Sequence, residues 1–222
     1  MKPIKLSHEY DPDMTITLAL PSGQAGEDAF AEFVNTRARG NKYQADYDLV
    51  RTCAVEPKDA ALSELLRCWS GVAASGSHAI EEALQVTDLE LLDPRECVAK
   101  WRTEIDKDPA FVPPFSLASV ERWIKEHPRK GPPGYAQCGI AKFDFGYVAY
   151  RSAEPTEWFS VESMRNAGKA YQVLHSFVRS CVLSDNLADV LDRAKSQPGI
   201  VMILGGLIRG AAGEEFTKRM GE

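Results

Sequence analysis

The stretch Ala170-Tyr171-Gln172-Val173-Leu174-His175-Ser176-Phe177-Val178-Arg179-Ser180-Cys181 carries the reading of the whole chain. Ala170, Val173, Leu174, Phe177, Val178 and Cys181 recur at i, i+3, i+4, i+7 spacing, which places them on one face of an amphipathic helix. The same helix is written 128 residues earlier, where Tyr43, Val50, Arg51 and Cys53 match Tyr171, Val178, Arg179 and Cys181. Leu49/Phe177 and Thr52/Ser180 are conservative at that offset. The offset also pairs Phe30 with Trp158, Phe33 with Val161 and Gly71 with Gly199. We read the chain as two related copies of one unit. A period this long makes domains rather than a solenoid, whose repeats run about 20–50 residues.

Outward from this helix, each half shows a strand followed by helices. In the first half Thr15-Ile16-Thr17-Leu18-Ala19-Leu20 alternates like a strand, and Pro21-Ser22-Gly23 stops it. Glu27 to Arg37 carries Phe30, Phe33 and Val34 on one helical face, and Gly40-Asn41 ends that helix. Further helices are expected over 44–54, from Pro57 to Trp69 (stripe Leu62, Leu65, Leu66, Trp69) and over 77–85, with Ser70-Gly71 as a break. In the second half one strand is expected from Phe143 to Tyr150, and Pro155-Thr156 opens a helix with Trp158, Phe159 and Val161. Gly168 separates it from the helix first quoted. Ser184 reads as an N-cap, Pro198-Gly199 as the start of an apolar last helix and Gly213 as its C-cap. Residues 87–141 differ in texture, with two short helices (Arg95–Ile105, Leu117–His127) among Pro113-Pro114 and Gly131-Pro132-Pro133-Gly134. The expected fold is mainly α with short β segments, an α+β chain. Two small helical domains, 1–86 and 142–222, are joined by a proline-rich connecting segment, 87–141.

Composition narrows the function by exclusion. A chain of 222 residues, 44% hydrophobic and 26% charged, is an ordinary soluble globular protein. Its net charge of −6, with no basic stripe, argues against a nucleic-acid partner. Ile200 to Leu204 is the longest apolar run, far short of the roughly 20 residues of a membrane span. Five cysteines, an odd number without C-x-x-C spacing and with no apolar leader before them, suggest the reduced cytoplasm. Cys53 and Cys181 fall on apolar helix faces and read as small hydrophobes. The four histidines show no metal-ligand spacing, and the glycines form no phosphate loop. Glu81-Glu82 and Glu214-Glu215 are adjacent, so each pair points to different sides of a helix. No catalytic, metal or cofactor residues emerge, and the chain reads as no enzyme.

Candidate partner-binding residues are Trp158, Phe159, Gly206, Leu207 and Gly210. Trp158 and Phe159 are neighbours on one helix and cannot share a buried face, so one is expected at the surface. Gly206 and Gly210 make a G-x-x-x-G step, which lets a second helix approach closely. A helix-interior glycine costs about 1 kcal/mol against alanine. Such glycines therefore serve close packing inside the domain, a partner helix or an oligomer contact.

The second half resembles the tail assembly chaperones of long-tailed bacteriophages. The residues that carry the likeness are Tyr150-Arg151, Pro155-Thr156, Trp158-Phe159, Phe177-Val178-Arg179-Ser180-Cys181-Val182, Pro198-Gly199 and Ile208-Arg209-Gly210-Ala211-Ala212-Gly213. The first half looks like a degenerate copy through Pro21-Ser22, Leu49 to Val55 and Glu56-Pro57. It has a Gly-rich insertion before Phe30 and lacks the apolar, glycine-bearing last helix. The resemblance implies a non-enzymatic protein of the host bacterial cytoplasm, absent from the mature particle. Its implied partners are a tape-measure protein, tail-tube subunits and a further copy of itself, with no nucleic acid and no membrane. Two other readings fit the residues: a minor structural tail or connector component, and a small cytosolic enzyme whose site assembles only in space.

Overall fold

The computed structural model describes residues 3–7, 14–84, 89–130 and 136–211. The fold is mainly helical with short strands, an α+β chain of ten helices and two three-stranded antiparallel sheets among the described residues. The chain forms two compact units: residues 1–85, 163–172 and 191–200 make one, and residues 86–162, 173–190 and 201–222 the other. The first boundary falls where composition changes. The second does not, because the expected connecting segment 87–141 folds into the second unit.

In the first unit, β1 (Ile4–Ser7), β2 (Thr15–Leu18) and β3 (Ala54–Glu56) pair in that order. Ile16 and Leu18 turn inward on β2. Four helices follow from β2: α1 (Gly23–Ala38), α2 (Lys42–Cys53), α3 (Asp59–Cys68) and α4 (Ser70–Leu84). Gly40 (φ 88°) ends α1 in the left-handed region that glycine adopts at least cost. Three expectations need correction here. Pro57 does not open α3, which begins two residues later at Asp59 after Lys58 as N-cap. Ser70-Gly71 is not a break but the first turn of α4, which starts seven residues before the expected Ser77. Glycine is tolerated inside α4 because a Cβ on Gly76 would lie 2.7 Å from Val50 Cγ2, so the close approach of α2 demands it. Trp69 is 43% exposed rather than part of a buried stripe, while Leu62 and Leu66 are buried.

In the second unit, β4 (Glu90–Leu92), β5 (Cys138–Phe143) and β6 (Gly146–Arg151) form the other sheet. The single strand expected from Phe143 to Tyr150 is thus corrected to a turn and the second arm of a hairpin, with Gly146 at φ 134°. Two helices, α5 (Pro94–Lys107) and α6 (Leu117–Glu126), pack beside it. Asp93 caps α5 by accepting from the Arg95 N–H at 2.7 Å, and Ser116 caps α6 by accepting from Ser119 N–H at 3.1 Å. Cys97, Val98, Trp101, Val120, Trp123, Ile140 and Ala149 form one core cluster. The prolines of 109–114 therefore lie beside a packed core, and the apolar faces of α5 and α6 are what make this segment fold.

The remaining helices are α7 (Pro155–Asn166), α8 (Ala170–Cys181), α9 (Leu187–Ala194) and α10 (Gly199–Ala211). Pro155 and Gly199 are the expected helix starts, and Gly168 (φ 67°) parts α7 from α8. Ser184 is not the N-cap of α9. Its hydroxyl accepts from Ala149 N–H and donates to Asn186 Oδ1 at 2.7 Å, tying the chain to β6. The expected C-cap Gly213 lies outside the described residues.

The helix bounds repeat with the sequence offset. Lys42–Cys53 and Ala170–Cys181 coincide at both ends, α1 and α7 end together, and α3 and α9 start together. β3 has its counterpart in the isolated bridge Tyr150↔Val182. Each copy runs hairpin, helix, helix, return strand, helix, helix.

Candidate partner-binding surface

The expected binding residues lie on α7 and α10, and α8 is the helix against which both pack. Phe177 of α8 is fully buried, and the Trp158 ring meets it edge-on at 4.8 Å. One residue further on, Phe159 stands 74% exposed. The pair thus splits as adjacency on a helix requires, one ring inward and one outward.

On α10, Val201, Leu204, Gly205, Ile208 and Ala211 are buried. A Cβ on Gly205 would meet Leu174 Cβ at 2.6 Å and its Cα at 3.0 Å. Gly205 is therefore the glycine that serves internal packing. Gly206 is exposed and would accept a Cβ with nothing within 4 Å. Ile203, Gly206, Leu207 and Gly210, at i, i+3, i+4, i+7, form a half-exposed stripe on the face of α10 turned from its core residues. Gly206 of the G-x-x-x-G step therefore stands open among the described residues, and Gly210 is half-buried. Arg209 and Met202 flank it, both half-buried.

A charged clamp holds α7. Arg151, at the end of β6, donates to Glu157 Oε1 at 2.6 Å and to the Ser180 carbonyl of α8 at 3.2 Å. Glu157 also accepts from the Glu154 N–H at 2.7 Å. Both side chains are about 15% exposed, 15% and 16%. The Arg151 hydrogen bond holds the Glu157 carboxyl below its ordinary value. Strand, α7 and α8 are locked through one guanidinium, and this fixes where Phe159 points.

Other polar groups link helices of the first unit. Asp46 of α2 is 2% exposed, accepts from the Ser77 hydroxyl of α4 at 2.9 Å and faces Arg37 at 3.8 Å. Arg37 in turn donates to both Glu81 oxygens at 2.8 Å. Cys53, Cys97 and Cys181 are buried thiols pushed up to about 11, chiefly by desolvation, and the small-hydrophobe expectation concerned Cys53 and Cys181. Among the described residues no cluster of three His, Cys, Asp or Glu could hold a metal. No helix there is long and apolar enough to cross a membrane.

Two clefts are lined by apolar and aromatic residues. One, of about 360 Å³, opens between the β1–β2 hairpin and the α3–α4 corner, with Leu6, Ile16, Leu65, Trp69 and Val72 in its walls. The other, about 400 Å³, is walled by Phe115, Trp123 and Tyr147 with Ser116, Ser119 and Asp185 at its polar side.

One feature escaped the reading of the sequence. Residues at the start of α8 dock on α1 within the first unit. Tyr171 N–H donates to Asn35 Oδ1 at 3.0 Å, Asn35 Nδ2 donates to Gln172 Oε1 at 2.8 Å, and the Tyr171 hydroxyl donates to Glu27 at 3.0 Å. Glu27, Asn35 and Tyr171 are all buried. Burial and the Glu27 carboxylate together push the Tyr171 hydroxyl far up. The signal was present as Gly168-x-x-Tyr171-Gln172 and its copy Gly40-x-x-Tyr43-Gln44, which align at the same offset.

No protein-family model matches the chain, and neither a curated protein nor a solved structure matches it significantly.

Proposed function

We propose that the protein acts by binding other proteins, as a tail assembly chaperone of a long-tailed phage or prophage that holds a tape-measure protein and recruits tail-tube subunits. The observation that supports this reading is the half-exposed stripe of α10, where an added Cβ on the exposed Gly206 would meet nothing within 4 Å, beside Ile203, Leu207 and Gly210. A tape-measure protein is a long apolar helical chain, and helix-in-groove docking uses anchors at this spacing. The resemblance of the second half supplies the identity of the partner. The stripe supplies a physical means of holding it.

Co-expression with a candidate tape-measure protein tests the reading. The partner should become soluble and co-purify with the chain. Gly206→Leu, which fills the open step without touching the core, should cut recovery about tenfold, the equivalent of about 1.4 kcal/mol. A partner that stays insoluble and unbound overturns the reading. A chain found in purified particles by mass spectrometry favours the structural-component alternative.

A further inference from the structure

The cleft of about 400 Å³ in the second unit joins three aromatic rings to a set of unspent polar groups. Phe115 stands edge-on to Trp123 at 5.4 Å and 77°, and edge-on to Tyr147 at 6.5 Å and 81°. Behind them Trp101, 5% exposed, meets Phe115 at 6.4 Å and Tyr147 at 6.3 Å and braces both. Phe115 is thus steeply inclined to both neighbours, and the wall is a corner rather than a slot between parallel planes.

Two polar residues of the cleft are occupied. Ser184 accepts from Ala149 N–H and donates to Asn186, and Asn186 donates to the Tyr147 carbonyl at 3.0 Å. Three others are not. Ser119 accepts from the Ser116 hydroxyl at 2.8 Å and keeps its own proton for another acceptor. Asp185 is exposed and has no hydrogen bond or ion pair among the described residues. Trp123 is 6% exposed, yet its indole N–H has no acceptor among the described residues. Every fully buried side-chain nitrogen or oxygen there has a partner, so this N–H reaches solvent, at the cleft that Trp123 lines.

These groups select a ligand by exclusion. Asp185 is the one charged residue of the described lining, so an anion is repelled. An alkylammonium ion suits Asp185 and the rings, but it offers no acceptor to Trp123 or Ser119. A flat base stacks on an aromatic face, which a corner of inclined rings serves poorly. A pyranose meets every condition. Its C–H face lies on the rings, and its hydroxyls donate to Asp185 and accept from Trp123 and Ser119. A volume of about 400 Å³ is near the small end of ligand clefts, roughly 300–1,000 Å³, and suits a single ring.

We propose that this cleft binds a neutral sugar ring, with Trp123, Ser119 and Asp185 reading its hydroxyls. It shares no residue with the α10 stripe, so the two readings stand or fall separately. Titration with glucose, galactose, mannose and N-acetylglucosamine tests it, read from the indole N–H signals in proton–nitrogen correlation spectra. Trp123→Phe removes one signal and so identifies it. At least one sugar should move that signal in the wild type, with a dissociation constant of millimolar order. Asp185→Ala and Ser119→Ala should each weaken binding about tenfold. Circular dichroism checks that the variants fold. Should Trp123→Phe fail to fold, these two variants carry the test by saturation transfer to the sugar. A trisaccharide that binds more tightly than its free sugar marks a chain end as the source, and equal binding marks the free sugar. Absence of any response to the four sugars overturns the proposal. So does a response confined to adenosine or tetramethylammonium, and so does sugar binding that Asp185→Ala and Ser119→Ala leave unchanged.

Discussion

Glu157 shows how much one hydrogen-bonded carboxylate does in this fold. Its pKa is lowered in the folded chain, chiefly by the Arg151 hydrogen bond, so ionised Glu157 favours folding. That contribution is complete above the unfolded carboxyl value of about 4.3. It is lost as pH falls through the lower folded value. Glu157→Gln should therefore destabilise the protein by about 1–3 kcal/mol near neutral pH. Chemical denaturation at a series of pH values should show the variant and wild type converging in acid. The neighbouring glycines of α10 make a second contrast. Gly205→Ala presses a methyl into Leu174 and should cost about 1–3 kcal/mol. Gly206→Ala meets nothing within 4 Å and should stabilise by about 0.5–1 kcal/mol. Thermal unfolding should move the two melting temperatures in opposite directions. The sequence shows both glycines alike, since which of two adjacent residues faces a neighbouring helix depends on a crossing point that periodicity does not locate.

At the scale of elements, the same helix crossing is solved twice with different chemistry. Where α2 meets α4, Asp46 accepts from Ser77. At the equivalent positions of α8 and α10 stand Leu174 and Gly205, in close apolar contact. One pair is polar and satisfied, the other apolar and interlocked. Asp46→Leu alone overfills the first crossing, and Ser77→Gly alone leaves a buried carboxylate short of a donor. The double variant installs the pair of the second copy. Its loss of stability should be smaller than the sum of the single losses by about 0.5–3 kcal/mol, measured by a denaturant double-mutant cycle. Helices with a strong apolar stripe, such as α5, α6 and α8, are legible from spacing alone. The start of α4 is not, because Ser70 and Gly71 carry a turn signature that tertiary packing overrides. The hairpin β5–β6 is missed for a related reason. Phe143, Phe145 and Tyr147 keep alternating through a turn whose only mark is Gly146.

For the whole molecule, the repeat is legible and the partition is not. The offset that joins Tyr43 to Tyr171 predicts equal helix bounds, and α2 and α8 have them. The compact units do not follow the copies, since residues 163–172 belong with the first 85. Asn35 and Glu27 tie that segment down, and these two polar residues carry no sequence mark of a distant partner. Of the candidate surface, sequence reasoning located Phe159 and the α10 stripe. It did not foresee that the start of α8 docks on α1, because that requires seeing what Tyr171 touches.

The same Asn35–Tyr171 tie sets a timetable for synthesis. Its two ends lie 136 residues apart. At roughly 5–20 residues per second, a ribosome needs on the order of ten seconds to bridge that gap. Throughout this interval Asn35 of the nascent α1 awaits the Tyr171 N–H and the Gln172 side chain that later pair with it. The first half of the chain thus emerges early but closes late, and the α1 face that receives Tyr171 stays accessible until the start of α8 has been made.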